Sequence, residues 1–213
     1  MKRYILLLIL LVSACKPSAA NTTSVLTISE CELPCWNGIT PGVTTTEEAK
    51  QILENTEGIG ANNVDTYNTS SRIRFSLSLE TPGINRKTVG LVESLGGKVI
   101  ELQLAENLHI VFDDVVQRVG EPEYVISTPF IGGGNVFAAI YPNKGVAFYI
   151  PYDTEVVELG TQITSLILFD PTDFDHWLDI ASFTIAKAEE TKKIMYPWKG
   201  YGSIEELYPP RFP

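Results

Sequence analysis

The feature that most constrains the fold is an order of elements that occurs twice, a helical pattern followed by four strand patterns. The first helix begins with a capping box, which pairs either Thr44 with Glu47 or Thr45 with Glu48. The strand patterns after it cover residues 64–67, 72–79, 88–93 and 99–104. In 72–79 polar and apolar residues alternate strictly, which is typical of a sheet with one face in water. The first copy therefore predicts a helix packed on a four-stranded antiparallel sheet.

A second copy follows with the same order of elements. Its helix has an apolar stripe at helical spacing, formed by Leu108, Val111, Phe112, Val115, Val116 and Val119. Gly120-Glu121-Pro122 marks the end of that helix. The strand patterns cover 124–127, 135–141, 145–150 and 162–169, and the two copies close alike, because Val99-x-x-Leu102-x-Leu104 matches Ile163-x-x-Leu166-x-Leu168. The predicted fold class is α+β, with two tandem α-β4 units at 31–106 and 107–170.

Residues 171–213 form a predicted C-terminal helix and aromatic tail. Asp170-Pro171-Thr172-Asp173 begins the helix, whose apolar stripe consists of Phe174, Trp177, Leu178 and Ala181. Charged residues gather in 187–193 and indicate solvated helix surface. The segment 196–210 is rich in aromatic and proline residues. It either folds back against the body or docks onto a partner, and the sequence leaves both alternatives open.

The N-terminus has the pattern of a secretory signal. Lys2-Arg3 precedes a short apolar run, Tyr4–Val12, and small residues come before Cys15. The run is shorter than the roughly 20 residues that span a bilayer. Val12-Ser13-Ala14-Cys15 resembles the bacterial lipobox, in which the cysteine is acylated and becomes the first residue of the mature protein.

These features predict a place in a bacterial cell envelope, outside the cytoplasm. Residues 1–14 are the predicted signal peptide, Cys15 is the predicted lipidation site, and 15–30 is a flexible tether. Each buried CH₂ group contributes about 0.8 kcal/mol, so several acyl chains on Cys15 would hold the protein firmly on a membrane. The alternative is ordinary signal cleavage beside an incidental cysteine. The sequence leaves open whether the membrane is inner, outer or single.

Cys31 and Cys35 form a C-x₃-C pair just after the tether. In an oxidising compartment, two thiols this close predict a disulfide. A redox role would favour C-x-x-C at a helix N-terminus, and a zinc site would need two more ligands. His109 and His176 lie far apart in sequence and do not complete such a set. We therefore interpret the pair as a structural disulfide at the start of the folded domain.

Composition and motifs provide no catalytic constellation. The formal net charge of −10 becomes −12 once Lys2 and Arg3 leave with the signal, and an acidic surface argues against binding nucleic acid. Gly132-Gly133-Gly134 lacks the lysine and hydroxyl residue that follow in a phosphate-binding loop. The acids in 170–179 lack the central glycine and closing glutamate of an EF-hand. We therefore expect no enzyme activity, no metal and no cofactor.

Two short segments resemble a known family. Ile39-Thr40-Pro41-Gly42-Val43-Thr44, before a capped helix, resembles the opening of small bacterial lipoproteins like BamE of the outer-membrane assembly machinery, and Val115–Pro122 looks like the helix end of that group. The resemblance implies a helix-plus-sheet body that supports a larger complex. Two units depart from that family, so a role in barrel assembly is not implied. Paired helix-plus-four-strand units are also similar in architecture to beta-lactamase inhibitory proteins, whose curved sheet grips a partner.

The predicted function is a lipid-anchored, non-enzymatic module that binds or scaffolds another envelope protein. The partner-binding surface is expected on the solvent-side face of the sheet and on a glycine-rich loop, whose residues are Phe130, Ile131, Gly132, Gly133 and Gly134. Two alternatives stay open. One is a binder of a small lipid or glycan between the two sheets. The other is an envelope hydrolase in which His109 or His176 meets an acid and a hydroxyl only in space.

Overall fold

A computed structural model describes residues 31–67, 71–78, 87–106, 108–129, 133–180 and 187–212 of the chain. Cys15 and three residues of the predicted loop, Phe130, Ile131 and Gly132, lie outside the described residues. The described part combines short helices with antiparallel sheet, so the predicted α+β class is confirmed.

The strands of the described residues are β1 (Val64–Tyr67), β2 (Arg72–Ser78), β3 (Lys87–Leu95), β4 (Lys98–Ala105), β5 (Tyr124–Pro129), β6 (Asn135–Tyr141), β7 (Val146–Tyr149), β8 (Val156–Val157), β9 (Ser165–Phe169), β10 (Met195–Pro197) and β11 (Gly202–Ser203). Nine of them form one sheet in the order β1-β2-β3-β4-β9-β7-β6-β5-β10, and every pairing is antiparallel. The two-residue strands β8 and β11 pair separately.

The alternation in β2 separates the two faces of the sheet. Ile73 and Phe75 are buried, whereas Arg72 and Arg74 are exposed. We call the face that carries Ile73 and Phe75 the inner face, and the opposite one the outer face. The largest difference from the predicted strands is at 162–169, where β9 begins only at Ser165.

The helices are α1 (Thr46–Asn55), α2 (Phe112–Val119), α3 (Phe174–Ile180), α4 (Ala188–Ile194) and α5 (Ile204–Leu207). Of the two possible capping boxes, the structure contains Thr45 with Glu48: the Thr45 amide donates to Glu48 Oε2 at 2.9 Å, and the Glu48 amide donates to Thr45 Oγ1 at 3.2 Å. α2 ends at Gly120, whose φ of 92° favours glycine. Asp170 caps the turn before α3, because its Oδ1 accepts a hydrogen bond from the Thr172 amide.

The sheet is continuous through the pairing of β4 with β9. β1 to β4 follow one another as a meander. Beyond β4 the sheet continues with β9, β7, β6 and β5 in that order. Leu102 lies opposite Leu168 and Leu104 opposite Leu166, so the two closing motifs of the sequence lie side by side. We refer to the strands from β1 to β4 as the first half of the sheet and to β9, β7, β6 and β5 as the second half.

The inner face carries the main core, which α1 and α2 cover. Ala49 and Leu53 of α1, and Phe112 and Val115 of α2, belong to one apolar cluster with the inner-face strand residues. The aromatic tail packs against the same cluster. Tyr208 is fully buried, and its hydroxyl accepts from the Lys199 amide at 2.8 Å. Of the two alternatives for the tail, the described residues therefore show the one in which it folds back.

Among the described residues, helices cover the outer face over its second half only. Trp177 and Leu178 of α3 and Ala188 and Ile194 of α4 form a second apolar cluster with outer-face residues, which are Ile126, Ala138, Ile140, Ala147, Ile167 and Phe169. The rings of Trp177 and Phe169 stack with their centroids 4.1 Å apart. Two amphipathic helices therefore occupy the second half of the outer face.

Candidate binding surfaces

The uncovered half of the outer face contains a shallow groove of about 360 Å³. Its lining comes from β1, β2, β3 and β4, and includes Tyr67, Arg72, Arg74, Val89, Leu91 and Gln103. These residues line one groove because alternate side chains of a pleated strand point to the same face of the sheet. Arg74 lies opposite Leu91, and Leu91 lies opposite Gln103, across three neighbouring strands. The groove thus has apolar residues between arginine and amide side chains.

The two arginines of the groove differ in their electrostatic surroundings. Arg72 forms an ion pair with Glu93, its cross-strand neighbour. Arg74 forms no ion pair or hydrogen bond with any other residue that the structure describes, and its side chain is exposed. The cross-strand neighbour of Arg74 on β1 is Asp65, whereas Tyr67 lies opposite Arg72 and keeps 47% of its surface exposed. The groove therefore presents a cation and an aromatic ring, two side-chain types that dominate binding energy in protein interfaces.

The two edges of the sheet are also different. β10 is three residues long, ends in Pro197 and pairs with β5 on its inner side. Proline cannot donate a backbone hydrogen bond, so it blunts that edge. β1 contains no proline, and within the described ranges no strand pairs with its outer side. The groove is therefore next to an edge strand whose outer side is unpaired within the described part of the chain.

Glu101 marks the boundary between the open and covered parts of the outer face. It is only 9% exposed, and Trp177 Nε1 of α3 donates to its Oε2 at 3.0 Å. Burial, together with the negative charge of Glu93, raises the pKa of Glu101 from 4.5 to about 7, against the opposing effects of the Trp177 hydrogen bond and Arg72. A carboxyl in this range suits proton transfer.

No nucleophile or histidine joins Glu101 in hydrogen-bonded contact among the described residues. Its hydrogen-bond partner is the Trp177 indole, and the charges of Glu93 and Arg72 act on it. Burial and the charge of Glu101 raise the pKa of Tyr149. His109 precedes α2 and His176 lies on α3, and neither side chain forms a hydrogen bond to an acid or hydroxyl within the described part.

A second cavity, of about 290 Å³, lies on the inner face beside the disulfide that joins Cys31 and Cys35. Besides the disulfide, its walls include Leu33, Trp36, Arg118, Leu166 and Leu168. Residues of the segment from Cys31 to Trp36 line this cavity together with the C-terminal end of α2 and with β9. The disulfide that the sequence predicts at the start of the folded domain thus forms one wall of this cavity.

The predicted glycine loop is distant from the groove in the sheet order. It connects β5 and β6, which β4, β9 and β7 separate from β1 to β3. Gly133 and Gly134 are exposed, and a Cβ at Gly134 would overlap the backbone of Tyr152. Among the loop residues, the described Gly133 and Gly134 therefore precede β6, which β9 and β7 separate from β4 in the sheet order.

Two further observations concern metal-binding groups and membrane-crossing helices. The described residues contain no group of three or more histidine, cysteine or acidic side chains arranged to hold a metal ion. None of the described helices has both the length and the apolar character needed to cross a membrane. Arg74 and Glu101 were not singled out by sequence, although the alternation in β2 indicates that Arg74 faces water.

The function of these surfaces has to be inferred from their own side chains, because known proteins provide no match. No protein-family model, no curated protein and no solved structure matches the chain.

Proposed function

We propose that the protein is a lipid-anchored, extracytoplasmic module of the bacterial cell envelope that binds another protein through the outer face of β1 to β4. The observation that supports this most is the unequal covering of the outer face. α3 and α4 bury the second half, whereas the first half keeps a groove lined by Tyr67, Arg74 and Leu91. Non-enzymatic recognition is the activity that this groove fits.

The groove favours an extended, acidic segment of the partner. An exposed antiparallel face alone carries little weight, because such sheets often face water on one side. Here the face also has an arginine without an ion pair among the described residues, next to half-buried apolar residues. A guanidinium binds a carboxylate in two parallel hydrogen bonds, which fixes the orientation of the bound chain. An extended segment would at the same time reach the open edge of β1.

The anchor belongs to the same proposal. Acylation of Cys15 after removal of residues 1–14 would place the groove on a tether of 15–30, outside the cytoplasm. The mature chain would carry a net charge of −12, so acyl chains rather than attraction to anionic lipids would hold it at the membrane. Its partner would then be a protein of the same membrane or of the adjoining compartment.

The finer organisation of the fold is also part of the proposal. We interpret 31–106 and 107–170 as tandem α-β4 units, joined where their last strands pair. Two observations support this: each unit has one helix on the inner face before its strands, and the register pairs Leu102 with Leu168 and Leu104 with Leu166. The likeness to BamE-type lipoproteins and to beta-lactamase inhibitory proteins would then reflect a shared way of presenting a sheet.

Site-specific crosslinking in the native host tests the binding surface. A photoreactive phenylalanine analogue replaces Tyr67, in the groove, or Tyr201, which is 38% exposed on the inner-face tail. We expect one dominant adduct from position 67 and none from 201. The crosslinked residue of the partner, found by mass spectrometry, should lie in an acidic segment.

Charge reversal supplies the matched control. Arg74→Glu should abolish the adduct from position 67, whereas Lys50→Glu, on the exposed side of α1, should leave it unchanged. Equal adducts from positions 67 and 201, or an adduct that survives Arg74→Glu, would overturn the assignment of this face. Secretion and acylation are read separately, from the mass of the mature protein and its loss of lipid in Cys15→Ser.

A further inference from the structure

The cavity beside the disulfide is on the opposite side of the sheet from the proposed binding groove, so its function is a separate question. It is lined mostly by apolar side chains, and the floor residues Leu166 and Leu168 are each only 1% exposed. Its volume of about 290 Å³ is roughly twice that of an engineered apolar cavity of about 150 Å³ that binds benzene. The space therefore suits a small apolar group rather than a polypeptide.

A polar atom in the wall has no partner. The Trp36 indole N–H is buried and has no hydrogen-bond acceptor among the described residues, although the ring stacks on Phe75. A buried donor without a partner is unfavourable, so this indole marks a polar point in an otherwise apolar region. The cavity is thus apolar, with at least one unused donor in a residue that lines it.

Arg118 gives the cavity a charged side. It lies one residue before the end of α2, and unlike the other wall residues from α2 and β9 it is exposed, so it marks the side that faces solvent. Arg118 already makes a contact within the protein. A guanidinium is permanently charged and can bind a carboxylate in two parallel hydrogen bonds, so Arg118 places a carboxylate-binding group at this side of the cavity.

We infer that this cavity binds one medium-length acyl chain that ends in a carboxylate. The chain would pack against Leu166, Leu168 and the disulfide, and the carboxylate would lie on the Arg118 side. Charge complementarity selects an acid over a neutral amphiphile, and the volume selects a single short chain over a phospholipid. The ligand class is therefore a free fatty acid of medium length, or the same acyl carboxylate released from a larger lipid.

Octanoate is a suitable probe because the readout can be restricted to the cavity. The full mature chain is held in lipid nanodiscs with ¹³C-labelled leucine methyl groups, so that partitioning of octanoate into lipid does not affect the signal. We expect saturable shifts of the methyl resonances of Leu33, Leu166 and Leu168. A control resonance is Leu159, which is 48% exposed and outside the cavity, and which should not move.

Two variants and a neutral ligand separate the head-group site from the apolar site. Arg118→Gln should weaken octanoate binding about tenfold or more, since hydrogen bonds to charged groups contribute about 1.5–3 kcal/mol, and should leave binding of octan-1-ol unchanged. Leu33→Phe fills the cavity from a half-buried position and should prevent binding of both ligands, whereas Leu159→Phe should not.

Three results of these experiments would contradict the proposal that the cavity binds an acyl carboxylate. Methyl shifts that never saturate, or that persist in Leu33→Phe, would mean that the cavity does not hold the chain. An equal effect of Arg118→Gln on octanoate and octan-1-ol would overturn the choice of a carboxylate. Decanoate and a lysophospholipid, compared in the same assay, distinguish a free fatty acid from a lipid as the source. None of these outcomes depends on Arg74 or on a protein partner.

Discussion

Replacing Glu101 by glutamine should make the protein more stable at alkaline pH. In the folded protein, burial and the neighbouring Glu93 raise the pKa of Glu101 from 4.5 to about 7. The folded state therefore binds a proton on Glu101 between these two values while the unfolded state has released it. As a consequence, the stability that the protonated carboxyl contributes is present below about pH 4.5 and is lost as the pH rises through about 7.

The size of the effect follows from the pKa. Each pH unit between the two values corresponds to about 1.4 kcal/mol, so the loss above pH 7 is about 3 kcal/mol. Glu101→Gln removes the ionisable group and keeps an oxygen that can accept the hydrogen bond from Trp177 Nε1. We expect the variant to match the wild type at pH 4.5 and to exceed it by about 3 kcal/mol at pH 8.5.

Chemical denaturation followed by tryptophan fluorescence measures this difference across the pH range. Glu57→Gln, at an exposed position after α1, is the control and should change the free energy of unfolding by less than about 0.5 kcal/mol at every pH. The reasoning is refuted if the advantage of Glu101→Gln over the wild type is the same at pH 4.5 and pH 8.5, because a buried acid must become more unfavourable as it ionises.

Three further substitutions test local features of the fold. Gly90→Ala should destabilise the protein by about 2 kcal/mol or more, because a Cβ at this position would overlap the Phe75 ring. Thr45→Ala should lower the free energy of unfolding by about 1 kcal/mol through loss of the cap on α1. Replacing both Cys31 and Cys35 by serine should lower it by about 2 kcal/mol, the value that loop entropy gives for so short a closed loop.

Each of these has a matched control, measured by urea denaturation. Gly160→Ala meets nothing closer than 3.9 Å and should be close to neutral. Thr45→Ser retains the capping hydroxyl and should keep most of the stability. Reduction of the wild-type disulfide should reproduce the double serine variant. A neutral Gly90→Ala, an equal loss in Thr45→Ser and Thr45→Ala, or no effect of reduction would each contradict its explanation.

Local elements could be predicted from the sequence because local chemistry determines them. β1 and β6 begin and end at the predicted residues, and the two possible threonine–glutamate pairs restrict the start of α1 to two adjacent positions. Gly120, the residue predicted to stop α2, ends that helix. These signals depend on residues that are neighbours along the chain.

The surfaces depend on contacts between distant segments, which a pattern does not specify. The apolar stripe of α3 shows that one side of the helix is buried, but not that it lies on the outer face of the second half. For the same reason, alternation places Glu101 on the wet face with Arg72, and only Trp177, 76 residues later, makes it buried. The inner cavity joins the disulfide, α2 and β9, so no local pattern could indicate it.

The pairing of β4 with β9 has a consequence for how the chain can be divided. Each strand covers the edge of the other, and β4 is eight residues long. A fragment ending after β4 would leave that long edge bare, with Leu102 and Leu104 beside it on the inner face. Exposed edges of this kind pair with other chains. Neither half is therefore suited to exist without the other, and we expect a chain divided between them to yield two fragments that aggregate.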